Sequence, residues 1–383
     1  MTTPLTRDAR RPRRSLASFF FGVAIFVLIG FILWIGQGVL IPLVIAAFLS
    51  FLIVTVKRGI DRAPGVGKRL PEAVSFALSF GVIVLIMFLL AAIIRNNIEA
   101  VVAAAPSYSA RLIEIWRELT SFTGSLPFGA DIQAGLANLE NNLVEMIGGY
   151  AGDVATIARG VVGGLITVLL YTVFILAERG RVLNKIVKIA GPHGAEHVVS
   201  EVIEDIQVLV RTYISVKTLT SLTVAAISFV IMALLEIDFA GFWALLIFAL
   251  NFIPVIGSII AVLLPTFLAL VQPGGGLGLF ILTGVLLTAA EQLVGTLIEP
   301  RMMGRSLNLS PLVILISLAA WGSLWGIAGA FLCVPMTVAL MIILAQFEST
   351  RPVAVLLSDN GEVEPLKRGE PGKTKAGGKA LKA

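Results

Sequence analysis

Residues 291 to 311, EQLVGTLIEPRMMGRSLNLSP, gather the side chains of this chain best suited to chemistry. Glu291, Gln292, Glu299, Arg301 and Arg305 stand between two apolar runs, one starting at Leu277 and one spanning Leu312 to Leu344. A carboxylate within such a run is costly unless it is protonated, paired or facing water. Glu291 falls about 21 Å along its run at 1.5 Å per residue. At that depth it is a candidate to carry a proton or to meet a cation, with Gln292 beside it. The alternative is a run that ends early and leaves Glu291 among the headgroups. Glu299, Pro300, Arg301, Gly304 and Arg305 fit a gate or ion-pair latch at the mouth of a path, and equally fit basic anchors at the membrane face.

Two further constellations interrupt long apolar stretches. NFIPVIG (251 to 257) divides residues 239 to 271, and WGSLWGIAG (321 to 329) divides residues 311 to 344. A straight helix over the first stretch would be about 50 Å long, far more than a hydrocarbon core of about 30 Å needs. Proline and glycine near each midpoint predict that the chain turns round there. An unwound tip at Asn251, Pro254 and Gly257 would present backbone carbonyls and amides to an ion or polar solute. A simple tight bend satisfied by Asn251 is the competing reading. Gly326 and Gly329 are the matching hinge residues of the second stretch. Trp321 and Trp325, four apart, read as packing residues.

Other chemistries lack their motifs. There is no phosphate-binding G-x-x-x-x-G-K-[ST] loop, no H-E-x-x-H and no G-x-S-x-G elbow. His193 and His197 have a metal-ligand spacing, but they follow Gly191-Pro192 at a helix start and read as a solvated end. The sequence implies no enzyme, no metal and no cofactor.

The elements that must position these residues follow from composition. The chain is 57% hydrophobic and 14% charged, where soluble domains carry about 25% charged residues. Its apolar runs do not alternate as barrel strands do. The class is therefore an all-α integral membrane protein, with about six full spans plus two hairpin (re-entrant) elements, or eight spans. The formal charge of +5 does not point to nucleic acid, because the cations cluster at membrane flanks and in the tails. The lone Cys333 excludes an internal disulfide.

The segments read as a basic tail over 1–15, three spans over 16–94, an external amphipathic insertion over 95–156, a fourth span with a cytoplasmic amphipathic helix over 157–215, a core over 216–345, and a disordered basic tail over 346–383. Gly36-Gln37-Gly38 reads as a tight turn between the first two spans. The insertion holds two apolar stripes, Leu112, Ile115, Trp116 and Leu119, then Leu136, Leu139, Leu143 and Ile147. Lys57, Arg58, Arg62, Lys68 and Arg69 place their loop, and both termini, in the cytoplasm. Span five with the first hairpin and span six with the second then form an inverted repeat of the kind found in secondary transporters.

IEPRMMGRSLNLSP (298 to 311), with LVILISLAAWGSLWGIAGAFLCVPMT (312 to 337) and NFIPVIG, resembles the C-terminal signature of the autoinducer-2 exporter family of permease-like bacterial membrane proteins. The matching positions are Asn251, Pro254, Gly257, Glu299, Pro300, Gly304, Pro311, Gly326, Gly329 and Pro335. The likeness is sharp over about 240 to 345 and looser over 16 to 345. It implies a multi-pass inner-membrane transporter with both termini inside, self-association into a homo-oligomer, and a small polar solute or signal molecule as cargo. Some members are associated with cation/proton exchange, so proton or sodium coupling is a second expectation. A membrane scaffold or sensor and a passive oligomeric channel are the readings of other classes.

Overall fold

In a computed structural model the described residues are 16–62, 70–121, 164–178, 181, 185, 195–303 and 308–363. They are α-helical almost throughout, and the only strand-like pairing among them is an isolated bridge between Leu309 and Ser358. The helices are α1 (Leu16–Ile35), α2 (Gln37–Arg62), α3 (Glu72–Ser121), α4 (Gly164–Glu178), α5 (Ala195–Leu234), α6 (Ala240–Leu250), α7 (Ile256–Val271), α8 (Leu277–Gln292), α9 (Glu299–Met303), α10 (Pro311–Ala345) and α11 (Arg351–Leu357). A π-helical turn, Leu293–Ile298, joins α8 to α9 without a break. Five helical stretches are long and apolar enough to cross a membrane. This is an all-α, multi-pass membrane protein.

The structure corrects the expected connection between the first two spans. Gln37 and Gly38 are helical, and Gly36 alone is a turn residue between α1 and α2. Its amide bonds to Ile32 O and its carbonyl accepts from Leu40 N. The glycine is a kink between two helices, because a Cβ there would lie 2.9 Å from Ile32 O. The third helix continues beyond the span expected over Glu72 to Ile94. It runs on to Ser121, so the first apolar stripe of the insertion, including Leu112 and Ile115, belongs to the same helix as the span. The second stripe, from Leu136 to Ile147, and His193 lie outside the described residues.

Both long apolar stretches are hairpins. In the first, α6 and α7 are joined by a γ-turn at Val255 (φ 61°, ψ −63°), closed by Ile256 N donating to Pro254 O at 2.6 Å. A β-branched residue at positive φ is strained. In the second, helical bonding extends over the whole of α10, but the chain reverses at Gly326 (φ 60°, ψ −138°). Trp321 Nε1 donates to Thr337 Oγ1 at 3.1 Å across sixteen residues, which a straight helix would hold about 24 Å apart.

Glycine makes each reversal possible. A Cβ on Gly257 would sit 1.8 Å from Leu250 O and 3.1 Å from Ile253 Cβ. One on Gly329 would sit 1.9 Å from Trp321 O and 3.0 Å from Trp325 Cβ. The two hairpins thus share one device: a positive-φ residue, then a glycine pressed onto a carbonyl of the preceding arm. Their returning arms carry buried Pro265 and Pro335.

The hairpins enter from opposite ends. The open end of α6 and α7 lies at the C-terminus of α5, where Gln272 Nε2 donates to Glu236 O and Gln272 Oε1 accepts from Asp238 N. The open end of α10 lies at the other half of α5, where Val210, Tyr213 and Ile214 share a core with Val313, Met341 and Ala345. There Ser310 N donates to Leu357 O, and Asp359 N to Asn308 O. Each mouth is therefore closed by polar bonds, and each tip points inward.

Replacing Gly257 or Gly329 by alanine is expected to lower the midpoint of thermal unfolding in detergent, each costing about 2–3 kcal/mol of overpacking. Val255→Gly is expected to raise it, by about 1 kcal/mol, through relief of positive-φ strain.

Candidate functional site

The two tips meet. Phe252, at the first bend, stacks on Phe331, just past the second, with ring centroids 4.6 Å apart and planes 22° from parallel. Phe48 of α2 closes edge-on against both, at 6.3 Å and 5.5 Å, and Phe248 meets Phe252 edge-on at 5.6 Å. Such geometries favour the ring quadrupoles and add to the apolar burial. Asn251 is buried beside this cluster, at 4% exposure. Pro254 is half-buried, and Gly257 is buried in the first turn of α7. Gly326 and Gly329 hold the opposing tip. Trp325 Nε1 reaches Leu33 O at 3.0 Å, so α1 is tied to that tip through a carbonyl near its C-terminal end.

A second polar feature lies along α5 and the span Leu277–Met303. Thr283, Leu287, Ala290 and Val294 form the buried face of that span. Continued as a regular α-helix, this face would next present Leu297 and then Arg301. The π turn underwinds the chain by one residue. Leu297 is instead 44% exposed, and Glu299 turns toward α5. There Lys217 Nζ lies 2.9 Å from both Glu299 oxygens, with the two side chains 10% and 21% exposed. An ion pair at this burial is weak evidence for stability, since desolvation offsets much of the attraction. Inside a spanning segment it is a functional signal.

The expected latch residues therefore separate. Glu299 is an ion-pair partner, but its partner is Lys217 and not an arginine of its own segment. Pro300 and Arg301 are exposed on α9, and Gly304 and Arg305 lie outside the described residues. Glu291 is half-buried and Gln292 exposed. With Thr288 and Thr296 they give one side of this span a polar stripe. No group of three metal-ligating side chains occurs among the described residues.

At the opposite end, Tyr108 of α3 donates to Asp238 Oδ2 at 2.8 Å. Burial, and then the bond to that carboxylate, push the Tyr108 phenol well above its ordinary range, so it stays the donor. The loop between α5 and α6 holds Glu236 and Phe239 at positive φ (54° and 57°), and Gln272, 4% exposed, pins it from α7.

Lys217, Gln272 and Tyr108 were not singled out from sequence. Lys217 alone had a readable signal, a lysine inside the apolar run that starts at Val216. Nothing local marks its partner, 82 residues away.

An opposed pair of re-entrant hairpins behind long spanning helices is a transporter's architecture. The sequence profile of AI-2E family transporters matches residues 23–349. The chain belongs to the AI-2E transporter family. Among the curated proteins that match, one from Haemophilus influenzae, whose name goes no further than a provisional assignment to transport, is 29% identical over 350 residues. That alignment covers 90% of this chain and 97% of the relative. The AI-2 transport protein TqsA of Escherichia coli K12 is 27% identical over 345 residues, 88% of this chain and 96% of TqsA. A Borreliella burgdorferi protein, also provisionally named for transport, is 34% identical over 145 residues, 38% of this chain and 40% of its own. Proteins of the AI-2E family are named for transport and not for catalysis, and this chain is a membrane transporter of that family.

If Lys217 and Glu299 tie the two halves of an AI-2E core, then Lys217→Met or Glu299→Gln alone strands a buried partner. Each is expected to cost about 2–3 kcal/mol at this partial exposure, and the double variant less than the sum. A thermal double-mutant cycle in detergent measures the coupling.

Proposed function

We propose that this protein is a secondary transporter, an exporter or permease, that moves a small polar solute or signal molecule by alternating access. The single observation that carries this reading is the meeting of two opposed hairpin tips at the Phe252–Phe331 stack. A stack of this kind seals the middle of a path, and moving one hairpin against the other would open it to one side at a time. In this reading a polar solute is met by Asn251 and the carbonyls of the first tip, supported by the burial of Asn251 beside the stack and by the γ-turn at Val255. Glu291 and Gln292, on the polar side of the Leu277–Met303 span, extend the proposed path, and Glu299 acts at its mouth. The name of TqsA specifies AI-2 for that relative, and a small polar signal of similar character is the substrate class we propose here.

The end that carries Lys217, Glu299 and Arg351 is assigned to the cytoplasm, with both termini, by the excess of Lys and Arg in its flanking segments. The bacterial inner membrane is the location this implies. Self-association belongs to the same reading: Thr288, Gln292 and Thr296 are exposed on the protomer within a span, and a bilayer disfavours polar groups there. A second reading, cation/proton exchange, is favoured by the buried Lys217–Glu299 pair.

The test is a reversible lock on the tips. In a Cys333→Ala background, Phe252→Cys with Phe331→Cys is joined by a short bis-thiosulfonate cross-linker in proteoliposomes. Solute or ion flux is expected to fall by about tenfold or more, equivalent to at least 1.4 kcal/mol on the limiting step, and to return on reduction. Undiminished flux through fully cross-linked protein would overturn alternating access at the tips.

A further inference from the structure

We propose that Lys217 and Glu299 form a monovalent-cation site in which the lysine ammonium is a tethered competitor for the ion. The Glu299 carboxylate holds a monovalent cation already: Lys217 Nζ stands 2.9 Å from each of its oxygens. One turn deeper on the same face of α5 is Ser221, 0% exposed, whose Oγ has no hydrogen-bond partner among the described residues. A helical serine ordinarily bonds back to the carbonyl four residues earlier. Here that carbonyl, Lys217 O, accepts from Thr220 Oγ1 at 3.2 Å instead, leaving Ser221 with an unused buried oxygen. An unpaired buried hydroxyl is destabilising, and a bound cation would relieve that.

The chemistry selects the ion. The ligands are a carboxylate and a neutral hydroxyl, hard oxygen donors suited to an alkali cation and not to a soft metal. One carboxylate balances one positive charge, so a divalent ion would leave the buried site charged. Lys217 sits at the edge of the apolar part of α5, and its four-carbon stem can carry the ammonium outward to the interface when the ion takes its place.

The consequence for the protein is mechanical. The pair bridges α5, which leads into the first hairpin, and α9, which leads into the second. With the lysine in place the two halves are tied through side chains; with the ion in place the tie is different in length and geometry. This inference rests on the ion-coupled form of the transport reading, and it places the coupling site at Glu299 rather than at Glu291.

The experiment is a sodium chloride titration of the full-length protein in detergent against choline chloride at equal ionic strength, read by thermal unfolding, followed by flux in liposomes. Wild type is expected to gain a sodium-dependent rise in midpoint that Glu299→Gln abolishes. Lys217→Met removes the competitor, so the sodium concentration for half effect should fall by about tenfold or more, an outcome that a merely structural salt bridge does not produce. Ser221→Ala, which leaves the ion pair and fold in place, should raise it by about fivefold, the worth of one lost ligand contact. If Lys217→Met fails to fold, wild type, Glu299→Gln and Ser221→Ala still decide. No sodium-specific shift in wild type, or unchanged sodium response in both Ser221→Ala and Glu299→Gln, overturns the site. Sodium-driven flux that survives Glu299→Gln overturns the site but leaves transport standing. Sodium binding that matches these expectations in a protein without flux supports the site and overturns the transport reading instead.

Discussion

A helix that turns round inside a bilayer leaves carbonyl and amide groups with no water to bond, and the rest of this structure depends on how that cost is met. Part of the answer is close approach. At Gly257 and Gly329 the returning arm lies on a carbonyl of the outgoing one, Leu250 O and Trp321 O, at a distance no side chain would allow. The first bend closes its own γ-turn through Pro254 O. At the second, Trp321 crosses to Thr337 and Trp325 to Leu33 O. The remaining cost is met by burying each bend against the other, with apolar rings filling the contact. The tips are therefore stable together, which is why one cannot be displaced without exposing the other.

The mouths of the hairpins obey the same constraint with different groups. Where the chain leaves the membrane core it can use polar side chains, and it does so at both ends. Gln272 satisfies a strained loop by bonding its neighbours at Glu236 and Asp238. At the other mouth the segment after α10 folds back through α11, and the bridge at Leu309 and Ser358 closes the gap. Asn308, at positive φ, donates from its side chain to Glu362 O. Polar-bonded mouths and apolar tips make each hairpin a packed unit of its own. The reach of α3 as far as Tyr108 brings the extension of a span onto one such mouth.

Much of this was legible in sequence, for a physical reason. Bilayer thickness makes the length of an apolar run informative, and the overlong runs at 239–271 and 311–344 had to bend where NFIPVIG and WGSLWGIAG broke them. The glycines and prolines of those motifs are local signals with local causes. Gly36 misled because its neighbour Gly38 suggested a turn, whereas the flanking carbonyls needed only a kink with one outside donor. The length of α3 beyond Ile94 was not legible, because a drop in hydropathy marks where a helix leaves the membrane, not where it stops. Pairings at a distance were not legible: Phe252 with Phe331, Tyr108 with Asp238, and Lys217 with Glu299 depend on how whole helices pack.

The π turn changes how the acids of this span are presented. Counting along a regular helix makes Glu291 the deep carboxylate and Glu299 a residue of the flank. One inserted residue in Leu293–Ile298 rotates the helix beyond it, so Glu299 faces α5 and Leu297 faces outward. The cost is a weakened stretch of ladder and an ion pair whose desolvation its attraction scarcely offsets. Neither feature is required for stability, since apolar residues replacing both Lys217 and Glu299 together would pack as well. What a buried lysine and glutamate supply, and leucines do not, is a contact between the two hairpin-bearing halves that a third charge can break. In the proposed ion site, a tie of that kind would let the occupancy of one small site govern the relation between the two hairpin-bearing halves.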